Sequence, residues 1–235
     1  LAHVPLFARE APTGTRMIEE ISYYPANPVI PDPEKRCMLD IQVPAGIEGF
    51  ATLVWFHGGG LTGGQREFPK FAGEGVALIS AGYRLSPQAK CPEFIEDAAA
   101  AVAWTVKNIA KYGGDPKKVF VGGHSAGGYL TCMLGMDPRW LEPYGLSPMS
   151  LAGLLPVSSQ VTTHFHVKDL RGVPGPSLLP VIDDFAPLKY ASKDLPSICL
   201  ITGDRRIEFK CRVEENELLY STLKNLEHPD VEFHE

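Results

Sequence analysis

An α/β domain with a mainly parallel sheet is the fold class this sequence predicts, on three observations. Nearly continuous apolar runs such as Phe50-Ala51-Thr52-Leu53-Val54-Trp55-Phe56 and Val76-Ala77-Leu78-Ile79-Ser80 lack the alternation of a half-solvated strand and read as parallel strands covered on both faces. Segments with apolar residues at three- or four-residue spacing fall between such runs. Strands that alternate with helices in this way build a parallel sheet flanked by helices.

Residues 1–15, rich in Pro, Ala and Gly, read as an N-terminal arm, and 16–235 as a single domain. Met17–Tyr24 and Cys37–Val43 read as strands divided by a proline-rich turn from Pro25 to Pro33, able to pair antiparallel at a sheet edge. After the runs at 50–56 and 76–80, a helix is predicted from Glu93 to Tyr112, where Ile95, Ala99, Val102, Val106 and Ile109 recur and Gly113-Gly114 stops it. Val119-Phe120-Val121 is the next strand, Gly128–Leu134 a helix start, and Leu151–Val157 and Ser197–Thr202 further strands. A helix spans Arg212 to Leu226, and a last strand starts at Val231. Residues 158–195 show no clear periodicity and several prolines, the mark of a functional connection such as a lid.

The 235 residues are 44% apolar and 21% charged, the balance of a folded domain with a substantial core. A net charge of −6 with scattered Lys and Arg offers no basic stripe for a phosphate backbone, so nucleic acid is not an expected partner. No apolar run approaches the ~20 residues that cross a bilayer. Leu1-Ala2-His3-Val4-Pro5 has no basic segment followed by an apolar core. Since a leader can be removed before such a start, cytoplasmic and exported locations both stay open, as does the oligomeric state. Five cysteines, Cys37, Cys91, Cys132, Cys199 and Cys211, form no C-x-x-C pair and suggest neither a disulfide framework nor a zinc site.

Two glycine-rich motifs carry the chemistry. Gly123-His124-Ser125-Ala126-Gly127 joins a strand to a helix, the context in which G-x-S-x-G forms a strained turn with an exposed serine hydroxyl. By itself the motif also fits a turn in which serine caps the next helix. His57-Gly58-Gly59-Gly60 directly follows a buried strand, where glycines let backbone N–H groups approach a substrate oxygen. No G-x-x-x-x-G-K occurs there, which weakens a phosphate-binding reading. With the N–H of Ala126, these donors can form an oxyanion hole beside Ser125.

At this point the chain resembles the α/β-hydrolase family, in particular the hormone-sensitive-lipase-like branch of bacterial carboxylesterases and carbohydrate (acetyl or feruloyl) esterases. The likeness runs through Tyr83-Arg84-Leu85-Ser86-Pro87, Glu96-Asp97-Ala98-Ala99-Ala100-Ala101, Gly113-Gly114-Asp115-Pro116 and Gly123–Gly128, and covers about residues 35 to 235. It implies an α/β-hydrolase fold with helices on both faces of the sheet. It further implies Ser125 as nucleophile, Gly59, Gly60 and Ala126 as oxyanion donors, and His57 as a support for its loop with no part in proton transfer.

The catalytic acid is expected after the next-to-last strand, in Thr202-Gly203-Asp204-Arg205-Arg206-Ile207-Glu208. The family's Asp commonly falls three residues after the glycine, and Arg206 stands there. Asp204 and Glu208 flank that position at two-residue steps and share a side in an extended segment. Asp204 is favoured as shorter and nearer the strand, with Glu208 the alternative. The family's histidine sits on the loop after the final strand, which places it beyond Glu235, because His234 lies inside that strand and His228 in the turn before it. The domain is thus expected to lack its C-terminal end. His164-Phe165-His166 has no third ligand at metal spacing, so no metal is assigned. The activity implied is hydrolysis of small acyl esters of a sugar or other alcohol through an acyl-enzyme, with a small-molecule ester as substrate and no cofactor. An arylformamidase-like amide hydrolase and a catalytically silent binding module are the rival readings.

Overall fold

The computed structural model describes residues 14–25, 30–32, 34–69 and 75–235. The arm at 1–15, save its last two residues, and most of the Pro25–Pro33 turn lie outside the described residues. Eight strands form one sheet in the order β1-β2-β4-β3-β5-β6-β7-β8. β1 (Thr15–Ser22) pairs antiparallel with β2 (Met38–Pro44), and β2 pairs antiparallel with β4 (Val76–Ala81). From β4 onward every pairing is parallel, through β3 (Phe50–Phe56), β5 (Gly114–His124), β6 (Gly153–Val157), β7 (Ser197–Ile201) and β8 (Val231–His234).

Parallel neighbours need crossovers, and helices supply them. α1 (Glu93–Asn108) joins β4 to β5, α2 (Ala126–Met136) joins β5 to β6, and α4 (Arg212–Asn225) joins β7 to β8. The connections leaving β3, β5, β6 and β7 therefore all emerge on one edge, the carboxyl ends of the strands, where open α/β sheets bind ligands. Residues of alternate parity on each strand face opposite sides. Val54, Ile79, Val121, Leu154 and Leu200 share a core with α1, α2 and α4, including Ala98–Val102, Leu130, Leu219 and Leu223. Leu53, Trp55 and Leu78 form a second, smaller cluster with Phe68, Phe120, Leu155 and Val157. Among the described residues these three helices share that core. The strands read as doubly buried because side chains such as Phe68, from the described part of the connection after β3, cover the other face.

The turn after β4 is locked to α1 by one carboxylate. Asp97, with no exposed surface, accepts hydrogen bonds from Arg84 Nε and Nη2 at 2.8 Å, Arg84 N at 3.0 Å and the Tyr24 hydroxyl at 2.7 Å. Removing one partner of a buried pair leaves the other charge uncompensated, so Asp97→Ala is expected to cost about 3–5 kcal/mol. In thermal unfolding followed by circular dichroism this appears as a fall in Tm of roughly 6–20 °C for a domain of this size.

The segment 158–195 is more ordered than its sequence suggests. It contains a short helix, α3 (Phe165–Leu170), and its first seven residues, Ser158 to His164, are buried. Glu215 of α4 accepts Val161 N at 2.9 Å, Thr162 N at 3.0 Å and the Thr162 hydroxyl at 3.1 Å, while Asn216 Nδ2 donates to Ser159 O at 2.8 Å. Backbone that cannot pair in a sheet is satisfied here by two helix side chains.

Candidate active site

Ser125 sits between β5 and α2 with φ 54° and ψ −111°, a conformation that an L-residue adopts only at a cost of roughly 1–3 kcal/mol. The turn is held by Ser125 N donating to Val157 O at 2.8 Å and by Tyr129 N donating to Ser125 O at 2.9 Å. It is tight because the start of α2 packs directly on the end of β3. A Cβ at Gly127 would stand 2.0 Å from Phe56 O and 2.8 Å from His57 O, which no side chain tolerates. Ala126 N–H is the first of α2 and has no acceptor within the helix.

The two glycine-rich motifs meet. A Cβ on Gly58 would lie 3.5 Å from the Ser125 Cβ, so the loop after β3 and the turn after β5 face each other across one gap. Gly59 has φ 114°, and a side chain there would strike Gly63 O at 2.3 Å. The Gly59 carbonyl accepts Gly63 N at 3.0 Å and Thr62 N at 3.1 Å, which folds the loop back on itself. Among the described residues the N–H groups of Gly59 and Gly60 are spent on no hydrogen bond. Gly59, Gly60, His124, Ser125, Ser158, Phe165, Glu208, Phe209 and Arg212 line a cavity of about 270 Å³. A roomier cleft of about 640 Å³, lined by Arg36, Asp40, His57 and Arg66 among others, does not include Ser125.

His57 supports its loop. Its ring stacks on Tyr83 with centroids 4.4 Å apart, its Nδ1 lies 2.7 Å from Gly58 O, and the Tyr83 hydroxyl donates to His57 O at 2.9 Å. Burial pulls its pKa down to about 4, so it stays neutral at ordinary pH.

The geometry separates the two candidate acids in the order opposite to the one expected. Asp204 turns away to Arg206, which holds its pKa down at about 2, and it does not line the cavity. Glu208 does line the cavity, accepting the Ser158 hydroxyl at 2.5 Å, Gly203 N at 2.8 Å and Phe209 N at 2.7 Å. Burial raises the Glu208 pKa, but these hydrogen bonds and nearby His124 outweigh it and leave the carboxyl below its usual range. The reason for the inversion is local. Ile207 N and Glu208 N both donate to Asp204 O at 2.9 Å, so the segment is a turn that begins at Asp204, and the two-residue alternation of an extended chain does not apply.

Among the described residues no histidine hydrogen-bonds to Ser125 or Glu208. His228 is buried with Nε2 3.1 Å from Leu195 O, and His234 pairs with Glu232 at 2.9 Å on β8. His164 is buried against Tyr129 and Phe165. One group of possible metal ligands, Cys199, Glu232 and His234, brings three donor atoms within 4.8 Å on β7 and β8. It lies outside the cavity, and its three residues come together only through strand pairing, which spacing along the chain does not reveal. No helix among the described residues is long and apolar enough to cross a membrane.

Residues 39–142 match the BD-FAE family model. Esterase LipC of Mycobacterium tuberculosis is 33% identical over 111 residues, covering 46% of this chain and 26% of that protein. Liver carboxylesterase B-1 of Rattus norvegicus is 31% identical over 183 residues, covering 71% of this chain and 32% of that protein. The chain thus spans about a third or less of the length of these curated relatives. Among solved structures, a truncated carbohydrate esterase from gut microbiota superposes with TM-score 0.69 at 19% identity over 93% of this chain and 86% of that one. Esterase B from Lactobacillus rhamnosis, inhibited by a tributyrin phosphonate, superposes with TM-score 0.72 at 21% identity over 95% of this chain and 75% of that one.

Proposed function

We propose that this chain, which has an α/β-hydrolase fold, cleaves carboxylic esters of small acids through an acyl-enzyme on Ser125. The observation that carries this reading is the convergence of two loops on a strained serine inside a small cavity, with free backbone N–H groups beside it. The esterases named above support the ester carbonyl over an amide, and a cavity of about 270 Å³ suits a short acyl group better than a long chain.

In the proposed reaction the Ser125 oxygen attacks the ester carbonyl carbon as a histidine takes its proton. The negative charge that develops on the carbonyl oxygen is met by the N–H groups of Gly59, Gly60 and Ala126, with the start of α2 adding its dipole. The alcohol leaves with the proton from the histidine, and water repeats the sequence on the acyl-enzyme to release the acid. Glu208 is assigned as the carboxylate that orients the histidine and stabilises its charged form. The histidine itself is proposed to approach from the carboxyl end of β8. Two contacts support that position: β8 lies beside β7 through Ile201 and His234, and Glu235 is held by Arg205, three residues before Glu208.

The test is covalent. In the full-length protein a fluorophosphonate probe is expected to add to Ser125, located by peptide mass spectrometry, and p-nitrophenyl acetate to be hydrolysed faster than an N-formyl aromatic amine. A full-length protein that neither labels at Ser125 nor turns over the acetate is not an esterase.

A further inference from the structure

One charged group at the cavity is met directly by no carboxylate. Arg212, at the start of α4, is 3% exposed and lines the space beside Ser125. Its guanidinium packs over the Phe209 ring at 5.3 Å, and among the described residues it makes no ion pair and donates no side-chain hydrogen bond. A guanidinium carries five N–H donors, and burying it unpaired is costly unless something else satisfies it. The other buried arginine, Arg84, shows the ordinary solution, with a carboxylate at 2.8 Å on two of its nitrogens.

The two acidic residues nearest Arg212 are committed elsewhere. Glu208 receives Ser158, Gly203 N and Phe209 N, and Glu215 receives Val161 N, Thr162 N and the Thr162 hydroxyl. They lie close enough to favour the charge on Arg212 without meeting it, and burial still leaves its pKa below that of a free arginine.

Resting on the esterase reading above, we propose that Arg212 is a specificity residue and that the substrate is an ester bearing a free carboxylate, which pairs with this guanidinium while the ester carbonyl lies at Ser125. Arg and carboxylate match in two parallel N–H···O bonds, a geometry that lysine cannot reproduce. Phe165 and Phe209 wall the same cavity and accommodate the short apolar link between the two ends of such a molecule. The carboxylate can belong to the acyl part or to the alcohol part, and two substrate pairs separate these sources.

The experiment compares kcat/KM in the full-length protein for monoethyl succinate against ethyl 4-methylpentanoate, and for acetoxyacetate against isobutyl acetate. Each pair replaces a carboxylate with an isopropyl group of similar shape, on the acyl side in the first and the alcohol side in the second. One charged ester is expected to exceed its neutral partner by about 10–100-fold, the effect of a hydrogen-bonded charge pair. Arg212→Met is expected to erase that ratio through loss of kcat/KM for the charged ester, and Arg212→Lys to restore only part of it. No preference for either charged ester in the unmodified protein overturns the proposal without any variant, so misfolding of Arg212→Met cannot shield it. Fluorophosphonate labelling of Ser125 and hydrolysis of the neutral esters are read in the same samples. If both are absent the esterase reading has failed, and if both are present without a preference only the role of Arg212 has.

Discussion

Ser125→Ala is expected to lower kcat for p-nitrophenyl acetate by on the order of 10⁶, leaving a residue of about 10³–10⁴ over water from the oxyanion donors and binding. The residue survives because the N–H groups of Gly59, Gly60 and Ala126 belong to backbone that the substitution does not touch. Fluorophosphonate labelling at position 125 disappears in the same variant. The strain at this position gives a second, independent readout. Alanine keeps the penalty of φ 54°, whereas glycine relieves it, so Ser125→Gly should be more stable than Ser125→Ala by about 1–2 kcal/mol. That is a Tm difference of roughly 2–8 °C for a domain of this length. A serine whose loss raises neither effect would be an ordinary helix cap.

The parts of the fold that could be read in the sequence are those fixed by burial alone. β3 runs Phe50–Phe56 as read, because every residue of a central parallel strand is apolar or small and the pattern has sharp ends. The helix predicted over Glu93–Tyr112 appears as α1 to Asn108 followed by a 3₁₀ turn over Ile109–Tyr112, so its periodicity held to the stopping glycine. β5 starts at Gly114, well before the apolar run at 119–121, since its half-buried Asp115-Pro116 and exposed Lys117-Lys118 carry no burial signal. α3 has six residues, too few turns for a period to show.

The site divides along the same line. Ser125 and the glycines of the loop after β3 were visible because a steric demand at one position is written locally, as the contacts of Gly59 and Gly127 illustrate. Arg212 and Glu215 were not. Both stand in the first turn of a helix, with Glu214 between Val213 and Glu215, and nothing in that run distinguishes a buried charge from a solvated one. Their burial depends on where 158–164 packs, and no local pattern encodes that.

Glu208→Gln is expected to lower kcat for p-nitrophenyl acetate by about 10⁴ in the full-length protein, the loss seen when the residue that orients a catalytic histidine keeps its shape and loses its charge. Asp204→Asn, by contrast, should leave kcat within about twofold, because that carboxylate is occupied by Arg206 outside the cavity. The comparison is informative because the two residues are four apart in one turn and share its backbone hydrogen bonds, so a general disturbance of the loop would affect both. The pH dependence has a defined sign. The Glu208 pKa is held below its ordinary value, so the carboxylate is ionised across the neutral range, and the stability it contributes is present above the ordinary glutamate pKa. That contribution is lost as pH falls through the depressed value, and a melting series from pH 7 to pH 3 should show a shallower acid limb in Glu208→Gln. Equal losses of activity in Asp204→Asn and Glu208→Gln would mean that the segment after β7 merely braces the cavity. A loss confined to Asp204→Asn would reverse the assignment and require Asp204 to leave Arg206 when substrate binds.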